Sequence, residues 1–194
     1  MDPGGDPGWR PAPRYALVTL VPGWRLWLNK RPGRSDGLIL LRGILLSFAP
    51  ALVLIGVVVA VLDAGGGLGT GMSAPPASLG VASVGLASLA GSALERPLHC
   101  EDDARLAKSY TQRFFLRVAL AEAAALIGFL AFVLTGSGWM YPLACAFTAM
   151  GFWRLAPTAE HLREDEERLQ ASGCSRSLVA ALRQNPPGRR LSSG

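Results

Sequence analysis

All 19 Lys and Arg residues of this 194-residue chain fall in three blocks, and no other feature constrains its fold as tightly. Seven lie between Arg10 and Arg42, five between Arg96 and Arg117, and seven between Arg154 and Arg190. Long apolar stretches separate the blocks, and the connectors on the other side, 63–76 and 135–138, carry no Lys or Arg. This is the positive-inside pattern of a polytopic membrane protein. It predicts an all-α integral membrane protein with four transmembrane helices in two helical hairpins. Both termini and the central loop are then cytoplasmic, and the location is the cell (plasma) membrane.

Half of the residues are apolar and 17% are charged, with a mean hydropathy of +0.30, which is high for a soluble domain of this size. A hydrocarbon core of about 30 Å needs roughly 20 helical residues, and 43–62 supplies such a run without a charge. The remaining spans are expected at 74–94, 114–135 and 139–156. Pro50 falls inside the first and should kink it. Arg42, at its edge, is expected to extend its stem toward the headgroups.

The net charge of +5 and pI near 9.6 come without aromatic interleaving or a nucleic-acid-binding motif, so no nucleic acid partner is expected. Membrane lipids are, with anionic headgroups near the Arg clusters. Arg outnumbers Lys 17 to 2, from which a GC-rich bacterial genome is expected. Cys100, Cys145 and Cys174 are odd in number and fall in the loop, the fourth span and the tail, so no disulfide framework is expected.

The chain divides into a Pro/Gly-rich segment with an interfacial Trp-containing stretch (1–37), a transmembrane domain (38–157) and a cytoplasmic helical tail (158–194). Residues 1–14 hold four Pro and three Gly and read as disordered. Residues 15–28, with Trp24 and Trp27 beside Arg25, read as lying on the membrane surface. Trp139 and Tyr141 stand where an aromatic belt belongs. In the tail, Thr158 is placed to cap a helix that Gly173 ends, Glu164–Glu167 reads as a solvated acidic face, and Leu178, Val179 and Leu182 share one side of a second helix.

The second span is poor in large aliphatic residues. Ser83, Ala87 and Gly91, spaced by four, let another helix backbone approach closely, as do Gly80 and, in the third span, Gly128. This reads as an interior helix and as the basis for homo- or hetero-oligomer formation. The third span collects Ala121, Ala124, Gly128 and Ala131 on one side.

Glu122 is the only ionisable side chain well inside a span, about 7.5 Å beyond Arg117 along the helix axis. A charge at a helix centre costs about 2.5–3.5 kcal/mol. Protonating a Glu of reference pKa 4.3 at pH 7 costs about 3.7 kcal/mol. The two costs nearly tie, so a readily exchanged proton is physically reasonable, with Ser83 and Ser88 as candidate hydrogen-bond partners.

The stretch Val118-Ala-Leu-Ala-Glu-Ala-Ala-Ala-Leu-Ile-Gly-Phe-Leu-Ala-Phe-Val-Leu resembles the carboxylate-bearing helix of the proteolipid subunit c of rotary ATP synthases. Over 80–135 the order is similar to that hairpin: a Gly-containing helix, a polar loop beginning Glu95-Arg-Pro, then the helix with Glu122. The resemblance implies an ion-binding role for Glu122, with a proton or another cation as ligand. Departures are the sparser glycines, Glu95-Arg-Pro in place of Arg-Gln-Pro, a longer loop and the flanking helices, which set the chain apart from an authentic ring subunit.

His99-Cys100-Glu101-Asp102-Asp103 lacks recognised metal-ligand spacing. Residues 65–71 are Gly-rich but lack the Lys of a phosphate loop. No nucleophile–base pair stands out, so neither an enzyme nor a cofactor is expected. The reading is a non-catalytic multi-pass membrane protein acting by helix association and cytoplasmic tail contacts, with a proteolipid-like, proton- or cation-binding module as the alternative.

Overall fold

The computed structural model describes residues 36–66, 73–92 and 98–184, together with residues 9, 12 and 13. Among these the long elements are all helical: α1 (Gly37–Ala64), α2 (Ala74–Ser92), α3 (Asp103–Thr135), α4 (Met140–Leu155), α5 (Ala159–Ala171) and α6 (Leu178–Gln184). Helices α1, α2 and α3 are each long and apolar enough to cross a membrane. Helix α4 has 16 residues and extends only about 24 Å. The surface stretch expected at 15–28 lies outside the described residues, as do most of 65–71 and the chain beyond 184. Pro50 lies within α1, where its ring denies the Leu46 carbonyl the usual N–H partner.

The described residues of 1–47, 96–113 and 156–194 form one compact unit, and those of 48–95 and 114–155 a second. The first unit holds the charged parts of the chain. Thr158 caps α5, its hydroxyl accepting from the His161 N–H at 3.2 Å. At the other end Gly173 has φ +88°, and its N–H donates to Gln170 O while the next N–H, of Cys174, donates to Leu169 O. That pair of bonds is a Schellman stop, which glycine permits because it has no Cβ to clash in the left-handed region. Glu166 then accepts the Leu178 N–H at the start of α6. Leu162, Leu169, Leu178 and Leu182 are buried, so α5 and α6 present an apolar side to the unit's interior.

Polar links tie this tail to the rest of the unit. Arg183 pairs with Asp36 at 2.8 Å, Arg176 with Asp103 at 2.6 Å, and Arg113 with Asp165 at 3.5 Å with both side chains nearly buried. Cys100 and Cys174, whose Cα atoms lie 6.0 Å apart, are joined as a disulfide. This corrects the expectation of unlinked cysteines: folding brings together two residues whose separation in sequence gave no hint of proximity.

Three further expectations change in this unit. Arg42 does not reach outward; it is fully buried, donates twice to the Pro157 carbonyl and lies 5.1 Å from the centre of the Trp9 ring. Within the segment expected to be disordered, Ala12 is buried. The acidic run 164–167 is only partly solvated, because Asp165 and Glu166 are engaged as described above while Arg163 pairs with Glu167 at the surface.

The second unit is a helical bundle in which α4 touches every other member. Ala77 and Val81 of α2 cluster with Ala131 of α3 and with Met140 and Ala144 of α4. On α4's other flank, Val59 of α1 joins Ala125 and Phe132 of α3 around Tyr141. The close approach rests on small residues: a Cβ at Gly128 would overlap that of Ala144, and one at Gly151 would fall 2.8 Å from that of Ala121. The Ala121, Ala124, Gly128, Ala131 side of α3 is thus its seam with α4. The buried Thr148 hydroxyl donates across this seam to Ala121 O at 3.0 Å.

Tyr141 departs from the aromatic-belt expectation. It is buried, its hydroxyl donates to Leu52 O at 2.8 Å, and Gly56 leaves room for its ring. Trp139 is half exposed. In the turn before α4, the Gly138 N–H donates to Asp63 at the end of α1.

Candidate helix-association site

Helix α2 has two unlike faces. On one, Ala77, Val81 and Ser88 are buried, and the missing side chain of Gly85 admits the Phe147 ring of α4; a Cβ there would fall 2.5 Å from the ring. The other face carries Gly80, Ser83 and Ala87, all exposed. Among the described residues, no atom beyond its own stretch of helix lies within 4 Å of where a Cβ at Gly80 would sit. Gly91, at the edge of this face, is half-buried with Leu120 of α3 at 3.4 Å.

The expectation of an interior helix is therefore corrected. Only 22% of the apolar window of α2 is buried, and α4 has the central place. The reason is volume: Ala144, Thr148 and Gly151 give α4 a narrow face that α3 can approach, whereas α2 meets α4 along one side only, through Ala77, Val81 and Gly85. Gly80, Ser83 and Ala87, on the other side, stay uncovered.

Beside Gly80 lies an apolar recess of about 260 Å³ between α2 and α3, lined by Pro76, Ala77 and Val81 on one side and Ile127, Leu130 and Leu134 on the other. The larger residues of α2 that share its open side, Leu79 and Leu86, are 70% and 61% exposed. The sequence reading missed the α3 contribution to this recess, since Ile127 and Leu130 look like ordinary span residues. Val53, Val57 and Val61 of α1 and Trp153 of α4 are exposed as well. An apolar exterior of that extent suits lipid or a partner helix rather than water.

Glu122 is half-buried on α3. It makes no hydrogen bond or ion pair with another described residue, so Ser83 and Ser88 do not bond to it. Ser88 is buried and Ser83 exposed. Glu122 also lies off the small-residue seam that α3 shares with α4. Among the described residues no group of three or more His, Cys, Asp or Glu side chains is placed to hold a metal ion.

Searches against known protein families, curated proteins and solved structures returned no match for this chain.

Proposed function

We propose that this is a non-catalytic, multi-pass membrane protein that works by associating with another transmembrane helix, in a second copy or a different protein, through the open face of α2. The observation that carries this reading is the exposure of Gly80, Ser83 and Ala87 beside the apolar recess, while Gly85 is filled from within. Lipid chains gain little contact on a row of Gly, Ser and Ala, whereas a second helix can pack its backbone closely there.

The same reading has four crossings, with both termini and the α2–α3 connector in the cytoplasm. Residues from all three basic blocks are linked to one another within the first unit, through Arg42 with Pro157, Arg183 with Asp36 and Arg113 with Asp165. The meeting of N-terminal, central and C-terminal segments in one unit supports a chain that returns after each excursion, with α4, though short, as the second half of the second hairpin. The tail closes this charged assembly. Many of its cations have protein partners, which leaves fewer for lipid headgroups than the charge count alone suggests.

The test is to enlarge Ser83 and Ala87 to Leu and to compare assembly in native membranes, by cross-linking, with that of the parent chain. Loss of the cross-linked species with retained folding is the expected outcome. Undiminished assembly would sink the reading.

A second reading, proton or cation binding by Glu122 in a proteolipid-like module, is favoured by one observation: a carboxyl inside an apolar helix has no hydrogen-bond or ion-pair partner among the described residues. Such a group is a functional candidate by default. It predicts labelling by a hydrophobic carbodiimide that, followed across about pH 5 to 9, falls away as pH rises and is lost in Glu122→Gln. No labelling at any pH would leave the helix-association reading alone.

A further inference from the structure

We propose that Cys100 and Cys174 form a reversible redox latch, closed by an oxidant of the disulfide class, that fastens the segment entering α3 to the C-terminal helices. The inference rests on the cytoplasmic placement of this unit argued above. Cytoplasmic thiols are held reduced, and a disulfide there is ordinarily transient or regulatory.

Each sulfur is held in place by contacts that do not need the bond. Cys174 follows Gly173 in the Schellman stop, its N–H donating to Leu169 O at 3.0 Å, and its side chain is buried. Cys100 precedes the N-terminus of α3, where Asp102 accepts the Arg105 N–H at 2.6 Å and Ser109 the His99 N–H at 3.4 Å. The Asp103–Arg176 pair brackets the cysteines, with both side chains about two-fifths exposed. The Cα separation of 6.0 Å lies within the range a disulfide spans. Two thiols so placed can join and part without refolding of α5 and α6, whose buried leucines remain packed.

Access sets the order of events. Cys100 is half-buried and Cys174 buried, so Cys100 thiolate attacks one sulfur of RSSR, forming a Cys100–SR mixed disulfide and releasing one RSH after protonation. Cys174 thiolate then attacks the Cys100 sulfur, closing the Cys100–Cys174 bond and releasing the second RSH. The two cysteines give up two electrons and two protons, and RSSR becomes two RSH.

What the bond changes is the tie between the two segments. Without it, residues 98–102 keep local contacts with α3, and among the described residues the exposed Asp103–Arg176 pair is the ion pair that bridges the neighbouring cap to the tail. Oxidation therefore anchors the start of α3 covalently.

The experiment uses the full chain with Cys145→Ala, expressed in cells and rapidly acid-quenched. Thiols are then counted with a mass-tagged maleimide, before and after treatment with a disulfide oxidant. Parallel samples receive a membrane-impermeant maleimide before lysis, with and without prior reduction. Trypsin cleavage after Arg105 in opened membranes reports the anchoring. The expected result is two free thiols in untreated cells, both lost on oxidation, neither reached from outside, and slower cleavage of the oxidised form. In Cys100→Ser, Cys174 should never join a second cysteine, should stay out of reach of the impermeant maleimide before lysis, and cleavage should not respond to oxidant. Thiols that stay inside yet never join would overturn the latch and leave the topology intact. A bond present in untreated cells whose reduced thiols are labelled from outside would overturn latch and topology together. Equal cleavage of oxidised and reduced forms would overturn the anchoring.

Discussion

Arg42 and Pro157, 115 positions apart, are joined by two hydrogen bonds from one guanidinium to one carbonyl, at 2.9 Å from Nε and 2.7 Å from Nη2. The carbonyl before it, of Ala156, accepts the Thr158 N–H and the His161 ring, so Nδ1 is the protonated nitrogen. The carbonyls of Ala156 and Pro157 thus have His161 and Arg42 as partners rather than lipid or water.

Replacing Arg42 by Met keeps the stem and removes both donors. Stability of the first unit should fall by about 1.5–3 kcal/mol, read as faster hydrogen exchange at the start of α5. Arg42→Lys should rescue little, because one ammonium cannot reproduce the planar double donation.

Arg113 and Asp165 are both nearly buried, and the Arg113 Nε is buried without a partner. Asp165→Ala leaves that guanidinium without its close counterion and should cost about 3–5 kcal/mol. Glu167→Ala, which breaks the exposed pair with Arg163, should stay within about 0.5 kcal/mol. Denaturant titration of the two variants in the same detergent checks the contrast.

Glycines of the second unit should divide by what faces them. Gly128→Leu and Gly85→Leu collide with Ala144 and Phe147 and should cost more than the roughly 1–3 kcal/mol of ordinary overpacking, seen as loss of monodisperse protein. Gly80→Leu, with open space around it, should leave the monomer's melting temperature nearly unchanged. Size-exclusion profiles with thermal melts separate the two outcomes.

Tyr141→Phe removes the hydroxyl that reaches Leu52 O and should lower stability by about 1 kcal/mol. Trp139→Phe, at a half-exposed position, should have a smaller effect. Thermal melts of the two variants in one detergent supply the comparison.

Local features were legible in the residues alone. The apolar run inside α1, the Thr158 cap and the Gly173 stop each depend on a short stretch of chain, where helical reach and left-handed backbone have direct residue preferences; the extension of α1 to Gly37–Ala64, beyond the expected 43–62, was not marked by that run. So did the Ala121, Ala124, Gly128, Ala131 seam, because a 3.6-residue period reports which side chains share a face. That period does not report what lies opposite the face. The interior place went to α4 rather than α2, Tyr141 turned inward, and Arg42 and the 164–167 run found protein partners where lipid or solvent had been expected.

The open face of α2 was half legible. Its small residues could be named from their spacing, but Gly85 and Gly80 look alike in a sequence, and only packing makes one a socket for Phe147 and leaves the other open. The Cys100–Cys174 bond and the Asp36–Arg183 pair lie further from view, at separations of 74 and 147 positions. Apolar run length and charge placement follow from each segment's own transfer energy into a bilayer, so they are written along the chain. Which side chains meet across those segments depends on volumes and donors that come together only when the helices pack.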